Sequence, residues 1–335
     1  MNGLSECKNV ALLQPISLTQ QKWDDNTVEL VSICCLTYNH EAYIKNTLEG
    51  FLMQETTFPV QIVIFDDCST DNTIKIIKNY SDRYPNLFKL FLQPENTWGK
   101  PIRDTALGEF FAARKNAKYV AICEGDDYWI DSLKLQKQVE FLEANTEYSL
   151  ICGGFKSVNV QTKEEEIIIK DIEHSSDNTD AGFDITLERF FRQWLTKTLT
   201  LVYRQELYNL NDFKNYKLKR DVHVNYHLLK QGKGYYMKEV LGVYHIHAGG
   251  IFSLKPTYSK KKISYLILKE IYENNTDDNY CRLAYFNSIR SIIKKRIYQS
   301  DKNLKKYRLI IELLLLVRNK KEMKKVINTI FERVK

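Results

Sequence analysis

Three short apolar runs, each closing on a polar turn, set the architecture this chain can adopt. Residues 30–36, 60–65 and 119–123 carry no charge and are almost wholly apolar. Such runs suit strands buried on both faces, as in parallel sheets. Residues 88–92 predict one more strand. Between the runs the spacing changes to that of helices. Tyr43, Ile44, Leu48, Phe51 and Leu52 fall on one helical face. Asp71 or Ser69 is placed to cap a helix reaching Tyr80, a further helix is expected over 104–116, and Asp131 is placed to start one reaching Leu142. This alternation predicts an α/β fold with a mainly parallel central sheet and helices on both faces. Ligands of such sheets bind outside the carboxyl ends of the strands. Three turns fall there: Thr37-Tyr38-Asn39, Asp66-Asp67 and Asp126-Asp127.

The third of these turns is the most informative. Glu124-Gly125-Asp126-Asp127 places adjacent carboxylates at the end of a buried strand, where they repel one another and lose hydration. A divalent cation carrying a phosphorylated ligand would offset that cost, because hard cations prefer carboxylate oxygens. One carboxylate would then bind the metal and the other a ribose. The competing role, capping the next helix, is already filled by Asp131.

Other residues carry chemistry less specifically. Asp67 suits an imide N–H of a nucleobase or a ribose hydroxyl, and equally a helix cap. Lys100 and Arg103 could neutralise a diphosphate or form surface pairs. Asp221 would open a helix over 219–231, where the helix dipole favours an acid; it could also serve as a general base. In His245-Ile246-His247-Ala248-Gly249-Gly250 the imidazoles fall at alternate positions, followed by glycines that let a ligand approach. His247 is the preferred metal or phosphate ligand, against a purely structural role.

The second half is fainter. Strands are expected around 149–152, 199–203 and 235–247, in mixed directions, and residues 160–184 read as a polar loop. From Pro256 onward three or four basic amphipathic helices are expected. Residues 255–335 hold 21 Lys+Arg against 8 Asp+Glu, a net +13, leaving −6 for the rest of the 335-residue chain. That asymmetry suits either an anionic surface, such as a membrane or phosphorylated lipid, or a solvated helical face. The seven cysteines include no CxxC pair, and Cys34, Cys35, Cys123 and Cys152, in apolar runs, read as reduced, buried residues. Neither a signal peptide nor a membrane-spanning segment is expected, so the reading is cytoplasmic, with peripheral attachment at the inner face of the membrane open. Basic charge alone is too unspecific to suggest a nucleic-acid partner. The expected partition is a lead-in over 1–29, a catalytic domain over 30–254 and a helical region over 255–335.

Together these motifs resemble the family 2 glycosyltransferases, inverting enzymes of the GT-A, Rossmann-like fold, including those that build bacterial surface polysaccharides. The likeness runs over about 31–253, most strongly over 31–155. Residues 31–39 resemble that family's opening strand and nucleotide-binding turn, so the resemblance implies that Thr37, Tyr38 and Asn39 hold the nucleoside. Phe65-Asp66-Asp67-Cys68-Ser69-Thr70-Asp71 resembles its second-strand motif, implying that Asp67 contacts the base. Glu124-Gly125-Asp126-Asp127 resembles its metal motif, implying Asp127 on Mg²⁺ or Mn²⁺ and Asp126 on ribose. Asp221 stands where the family carries its catalytic base, although Arg220 precedes it in place of the usual Gly or Glu. The Gln-x-x-Arg-Trp motif of processive synthases is absent; Arg192-Gln193-Trp194 has another order, which favours single additions over polymerisation. The implied donor is a UDP-sugar and the implied acceptor a glycan or lipid-linked hydroxyl. Two alternatives stay open. A sugar-phosphate nucleotidylyltransferase would need glycines in the first turn, which has none. A catalytically silent nucleotide-sugar-binding scaffold would bind a donor without turning it over.

Overall fold

The computed structural model describes residues 12–24, 27–100, 102–114, 116–172, 175–250, 254–298 and 305–331. Among these, the elements run β1 (Ile16–Ser17), β2 (Val31–Thr37), α1 (Ile44–Leu52), β3 (Glu55–Thr56), β4 (Val60–Asp66), α2 (Thr73–Arg83), β5 (Phe88–Leu92), α3 (Ile102–Ala113), β6 (Tyr119–Ile122), β7 (Tyr128–Trp129), α4 (Lys134–Ala144), β8 (Tyr148–Asn159), β9 (Glu165–Ile168), β10 (Gly182–Ile185), α5 (Leu187–Arg192), β11 (Val202–Arg204), α6 (Asp221–Gln231), β12 (Lys233–Ile246), α7 (Thr257–Asn274), α8 (Asn279–Tyr298), α9 (Lys305–Leu315) and α10 (Lys320–Phe331). They form two compact units. The first takes the chain up to Thr186 with Leu195–Tyr208 and Leu228–Ile246; the second takes Leu187–Trp194, Asn209–His227 and the chain from His247 onward.

The first unit holds the central sheet, ordered β10-β12-β8-β11-β6-β2-β4-β5. The four strands β6, β2, β4 and β5 are parallel, as the double-sided apolar runs require. Every residue of β4 is buried, and all of β2 but Leu36. Beyond them the sheet is mixed: β11 runs antiparallel to both β6 and β8, while β12 pairs parallel with β8. The α/β fold with a C-terminal helical region therefore stands as read from the sequence.

Two expectations are corrected. The polar stretch over 160–184 contains strands: β9 pairs with β8 and β10 with β12. Backbone ladders hold these strands at the sheet margin, so their charged side chains do not oppose them; Lys156 pairs with Glu165 across the ladder at 2.5 Å. The lead-in also contributes structure, because β1 pairs with β3 and Leu18 joins the core.

Trp129 closes that core. It is fully buried, its ring lies 4.9 Å from that of Phe51, and its indole N–H donates to the Leu199 carbonyl at 2.6 Å. The buried Lys134 ammonium sits 4.1 Å from the ring centroid, a cation–π contact in a desolvated setting.

In the second unit the four helices α7 to α10 pack around Tyr285, Phe286, Ile289, Ile293, Leu313 and Val326. A buried ion pair ties α8 to α10: the Arg282 guanidinium donates to both Glu322 carboxylate oxygens, at 2.9 and 3.1 Å.

Trp129→Ala should lower stability by about 3–5 kcal/mol, the range for emptying a large aromatic site. Chemical denaturation followed by circular dichroism measures it, with the transition midpoint falling and the slope unchanged.

Candidate active site

Parallel pairing brings the three turns together. The register sets Thr37 opposite Asp66, and Val31 to Cys34 opposite Tyr119 to Ile122. The strands β4, β2 and β6 therefore end side by side. Beyond the ladder, the Asp67 N–H donates to the Thr37 carbonyl at 3.0 Å and the Gly125 N–H to the Leu36 carbonyl at 2.9 Å. Thr47 on α1 ties down the acidic turn, its hydroxyl donating to the carbonyls of Gly125 and Asp127 at 3.0 and 2.7 Å.

The first two turns are laced into one. The Asn39 N–H donates to Ser69 Oγ and the Thr70 N–H to Asn39 Oδ1, both at 2.8 Å. The His40 N–H donates to Thr73 Oγ1 at 2.8 Å, the Glu41 N–H to Asp71 Oδ2 at 3.0 Å, and the Asn72 N–H to Glu41 Oε2 at 2.9 Å. Asn39 and Cys68 take left-handed backbone conformations, φ 54° and 65°. Asn tolerates that region; Cys does not, and strain of this kind costs on the order of 1–3 kcal/mol. Asp66 is structural: its carboxylate accepts the Ser69 N–H and hydroxyl at 2.8 and 2.6 Å. Asp71 accepts the Thr73 N–H at 2.9 Å, at the start of α2.

Asp67 is buried and engaged. Its Oδ1 accepts the Thr97 N–H and hydroxyl at 2.8 and 2.6 Å, and its Oδ2 accepts from Arg103 at 2.8 Å. A carboxylate offers about four acceptor sites, so capacity for a further donor remains on Oδ2. Arg103 also lies 4.7 Å from the Trp98 ring centroid. Lys100 pairs with Glu95 at 2.7 Å in solvent. Tyr38 is exposed.

The acidic turn is crowded as expected. Asp127 is buried, and its Oδ1 accepts the His245 N–H at 2.9 Å. Burial, followed by the charges of Asp126 and Glu124, holds its carboxyl well above the usual range. Burial and then the Asp126 charge push Glu124 up to about 7; Lys197 and a hydrogen bond from Thr198 oppose that rise. The Glu124 Oε2 and Thr37 Oγ1 atoms are buried without a hydrogen-bond partner among the described residues. His40 Nε2 lies 3.8 Å from Asp126 Oδ2. Gly125 is required here, since a Cβ would come 2.8 Å from Thr37 and 2.9 Å from His40 Nδ1.

Sequence reasoning did not bring His40, Lys197 or His245 to this turn. The His245 ring meets the Asp126 carbonyl, Nδ1 to oxygen 2.6 Å, and stands beside Tyr43 and Tyr128 at 5.1 and 5.5 Å between centroids. The His-x-His pattern was a signal for this segment, but the register of β12 on β7 decides which ring reaches the turn. Thus Thr37, Tyr38, Asn39, Asp67, Arg103, Asp126 and Asp127 sit in one unit around three adjacent strand ends, with Lys100 on the neighbouring 94–103 segment. Asp221 and His247 belong to the second unit, Asp221 as the first residue of α6 and His247 buried beside the Gly249–Gly250 turn.

The arrangement fits a divalent cation. An acidic cluster with raised carboxyl affinities and an unpartnered buried oxygen lacks positive charge. No group of three or more His, Cys, Asp or Glu residues able to hold a metal occurs among the described residues. A cation here would therefore take one or two carboxylates and complete its shell from a phosphorylated ligand and water, as Mg²⁺ commonly does.

The family model for glycosyl transferase family 2 matches residues 32–212, the segment that contains all three turns. The chain belongs to this family. An uncharacterised Mycobacterium tuberculosis protein is 35% identical over 237 residues, covering 69% of this chain and 63% of its own length. The chain thus spans less than two thirds of these mycobacterial relatives. A Bacillus subtilis protein named as a teichuronic acid biosynthesis glycosyltransferase, TuaG, is 26% identical over 275 residues, 81% of this chain and 99% of its own. Among solved structures, Staphylococcus aureus TarS 1–349 in complex with UDP-GlcNAc superposes with a TM-score of 0.58 at 20% identity, covering 91% of this chain and 82% of that one. That likeness shows the shared GT-A fold.

Glu124 gives a test of the acidic turn. An acid whose pKa is raised by folding holds its proton more tightly in the folded state, so its contribution to stability is lost as pH rises from about 4.5 through about 7. Glu124→Gln should therefore raise the melting temperature above pH 7 by roughly 2–4 °C, about 1 kcal/mol, and leave it little changed at pH 5. Calorimetry at the two pH values reads the difference.

Proposed function

We propose that this protein transfers a sugar from a nucleoside-diphosphate donor, a UDP-sugar, to a hydroxyl of a growing glycan or lipid-linked acceptor, inverting the anomeric centre. The observation that carries the reading is the meeting of three ligand turns at adjacent parallel strand ends, one a buried acidic cluster short of positive charge. Membership of family 2 supports it, as does the likeness to a relative named for teichuronic acid biosynthesis.

In this reading Thr37, Tyr38 and Asn39 line the nucleoside site. The remaining acceptor site on Asp67 takes a donor from the base, while Arg103 and Thr97 hold that carboxylate still. Asp126 meets the ribose. Lys100 and Arg103 bring positive charge to the diphosphate. Asp127 would hold Mg²⁺ or Mn²⁺, which when bound neutralises charge on the departing diphosphate. Asp221 takes the proton of the acceptor hydroxyl. The freed oxygen forms its bond to the anomeric carbon as the bond to the phosphate oxygen breaks on the opposite face, and the nucleoside diphosphate leaves. The transition state carries oxocarbenium character.

The second unit gives this enzyme a surface for its acceptor's membrane. On α9 and α10 the apolar side chains Ile311, Leu314, Leu315, Met323 and Ile327 are exposed, among the exposed basic residues Arg318, Lys320, Lys321 and Lys324. No helix among the described residues is long and apolar enough to cross a bilayer. Such a surface suits peripheral contact with anionic lipid at the inner face.

Two experiments test these readings. A panel of nucleotide sugars with Mn²⁺, scored for nucleotide release, should give turnover with at least one UDP-sugar. Asp127→Ala and Asp221→Ala should each lose at least about tenfold, some 1.4 kcal/mol of barrier. Full activity of Asp127→Ala in chelator would overturn the metal role. For the surface, Lys320→Glu with Lys321→Glu should weaken binding to phosphatidylglycerol vesicles at least roughly tenfold, since each cation contributes about 1 kcal/mol near an anionic surface. Binding that is insensitive to both charge and salt would reject it.

A further inference from the structure

The turn that carries Asp221 is held in an unusual way. Lys219 adopts φ 37°, a left-handed conformation that a side chain disfavours, so neighbouring groups must impose it. Two part-buried hydrogen bonds flank it. The Leu218 N–H donates to Glu270 Oε2 on α7 at 3.2 Å, and the Arg220 N–H donates to His223 Nδ1 at 3.1 Å. The His223 N–H in turn donates to the Arg220 carbonyl at 2.9 Å. Arg220 and His223 stand in the relation of a capping box, where the third helical residue reaches back to the N–H of the cap. An imidazole here replaces the usual Glu or Gln.

That imidazole has a defined state. His223 is fully buried, and burial lowers its pKa to about 4, so it is neutral at physiological pH. Because Nδ1 accepts the Arg220 N–H, the ring proton resides on Nε2. Nε2 is buried without a hydrogen-bond partner among the described residues, and Glu270 Oε2 lies 3.7 Å from it. The Glu270 carboxylate favours the proton on that nitrogen, which keeps Nδ1 an acceptor. The Tyr216 ring packs 4.3 Å from the imidazole, and its hydroxyl is fixed by His227 Nε2 at 2.9 Å and Asn275 at 3.2 Å. Glu270 thus acts on both sides of Lys219, on Leu218 directly and on Arg220 through His223.

We propose that the His223–Glu270 pair is the positioning device for Asp221: it fixes the turn 218–220 and with it the direction in which the first residue of α6 presents its carboxylate. The helical region is then part of the catalytic apparatus. The inference rests on the reading of Asp221 as the base. Misplacing a reacting group by about 1 Å can cost on the order of a hundredfold in rate.

The test compares isosteric pairs in the full chain, using nucleotide release from the best UDP-sugar of the panel. His223→Leu removes the Nδ1 acceptor while keeping bulk, and kcat should fall roughly ten- to a hundredfold. His223→Asn restores an acceptor oxygen near the Nδ1 position and should recover most of that loss. Glu270→Ala should lower kcat about tenfold, with Glu270→Gln, which keeps an oxygen for the Leu218 N–H, recovering it in part. The donor KM should stay within about twofold throughout, because the nucleotide-binding turns are untouched. If His223→Leu does not fold, the two Glu270 variants carry the same comparison. Parental kcat in folded His223→Leu or in Glu270→Ala, with Asp221→Asn inactive, overturns the positioning role alone. Parental kcat in Asp221→Asn overturns the base assignment itself.

Discussion

Like charges buried at a strand end govern this molecule. Glu124, Asp126 and Asp127 occupy a single turn, and the fold spends much of its polar chemistry on holding that turn in place. Thr47 ties two of its carbonyls, the His245 backbone meets the Asp127 carboxylate, and Lys197 with Thr198 offsets Glu124. These restraints fix the geometry but do not neutralise the charge, as the raised affinities of Asp127 and Glu124 for protons show. Because folding raises the proton affinity of these carboxyls, the stability of the fold depends on pH through this one turn.

How much of this was legible beforehand follows from where each signal resides. The parallel strands announced themselves because burial on both faces leaves an almost wholly apolar run, as in residues 60–65. Their order could not be read, yet the rule that ligands gather at carboxyl ends pointed to the turns of Thr37, Asp67 and Asp127, which follow neighbouring strands. The margin strands were opaque for the opposite reason. Glu165–Ile168 joins the sheet through its backbone ladder, and its mostly exposed side chains speak of solvent rather than of a sheet. The mutual lacing of Asn39 with Ser69 and Thr70, and the arrival of Lys197 and His245 at the acidic turn, are tertiary facts that local periodicity does not encode. Asp221 was expected within a helix over 219–231 and stands as the first residue of α6, whereas the contact of His223 with the Arg220 N–H is a fact of geometry that the sequence does not display.

The lacing between the first two turns has a consequence for how such a scaffold can diversify. Five hydrogen bonds donated by backbone N–H groups join residues 39–41 to residues 69–73, so the two segments behave as one rigid plate rather than as separate loops. Lengthening either one would unfasten the other. Thr97 and Arg103 grip the Asp67 carboxylate from outside this plate, so a substitution at either can reset that carboxylate without loosening the lacing.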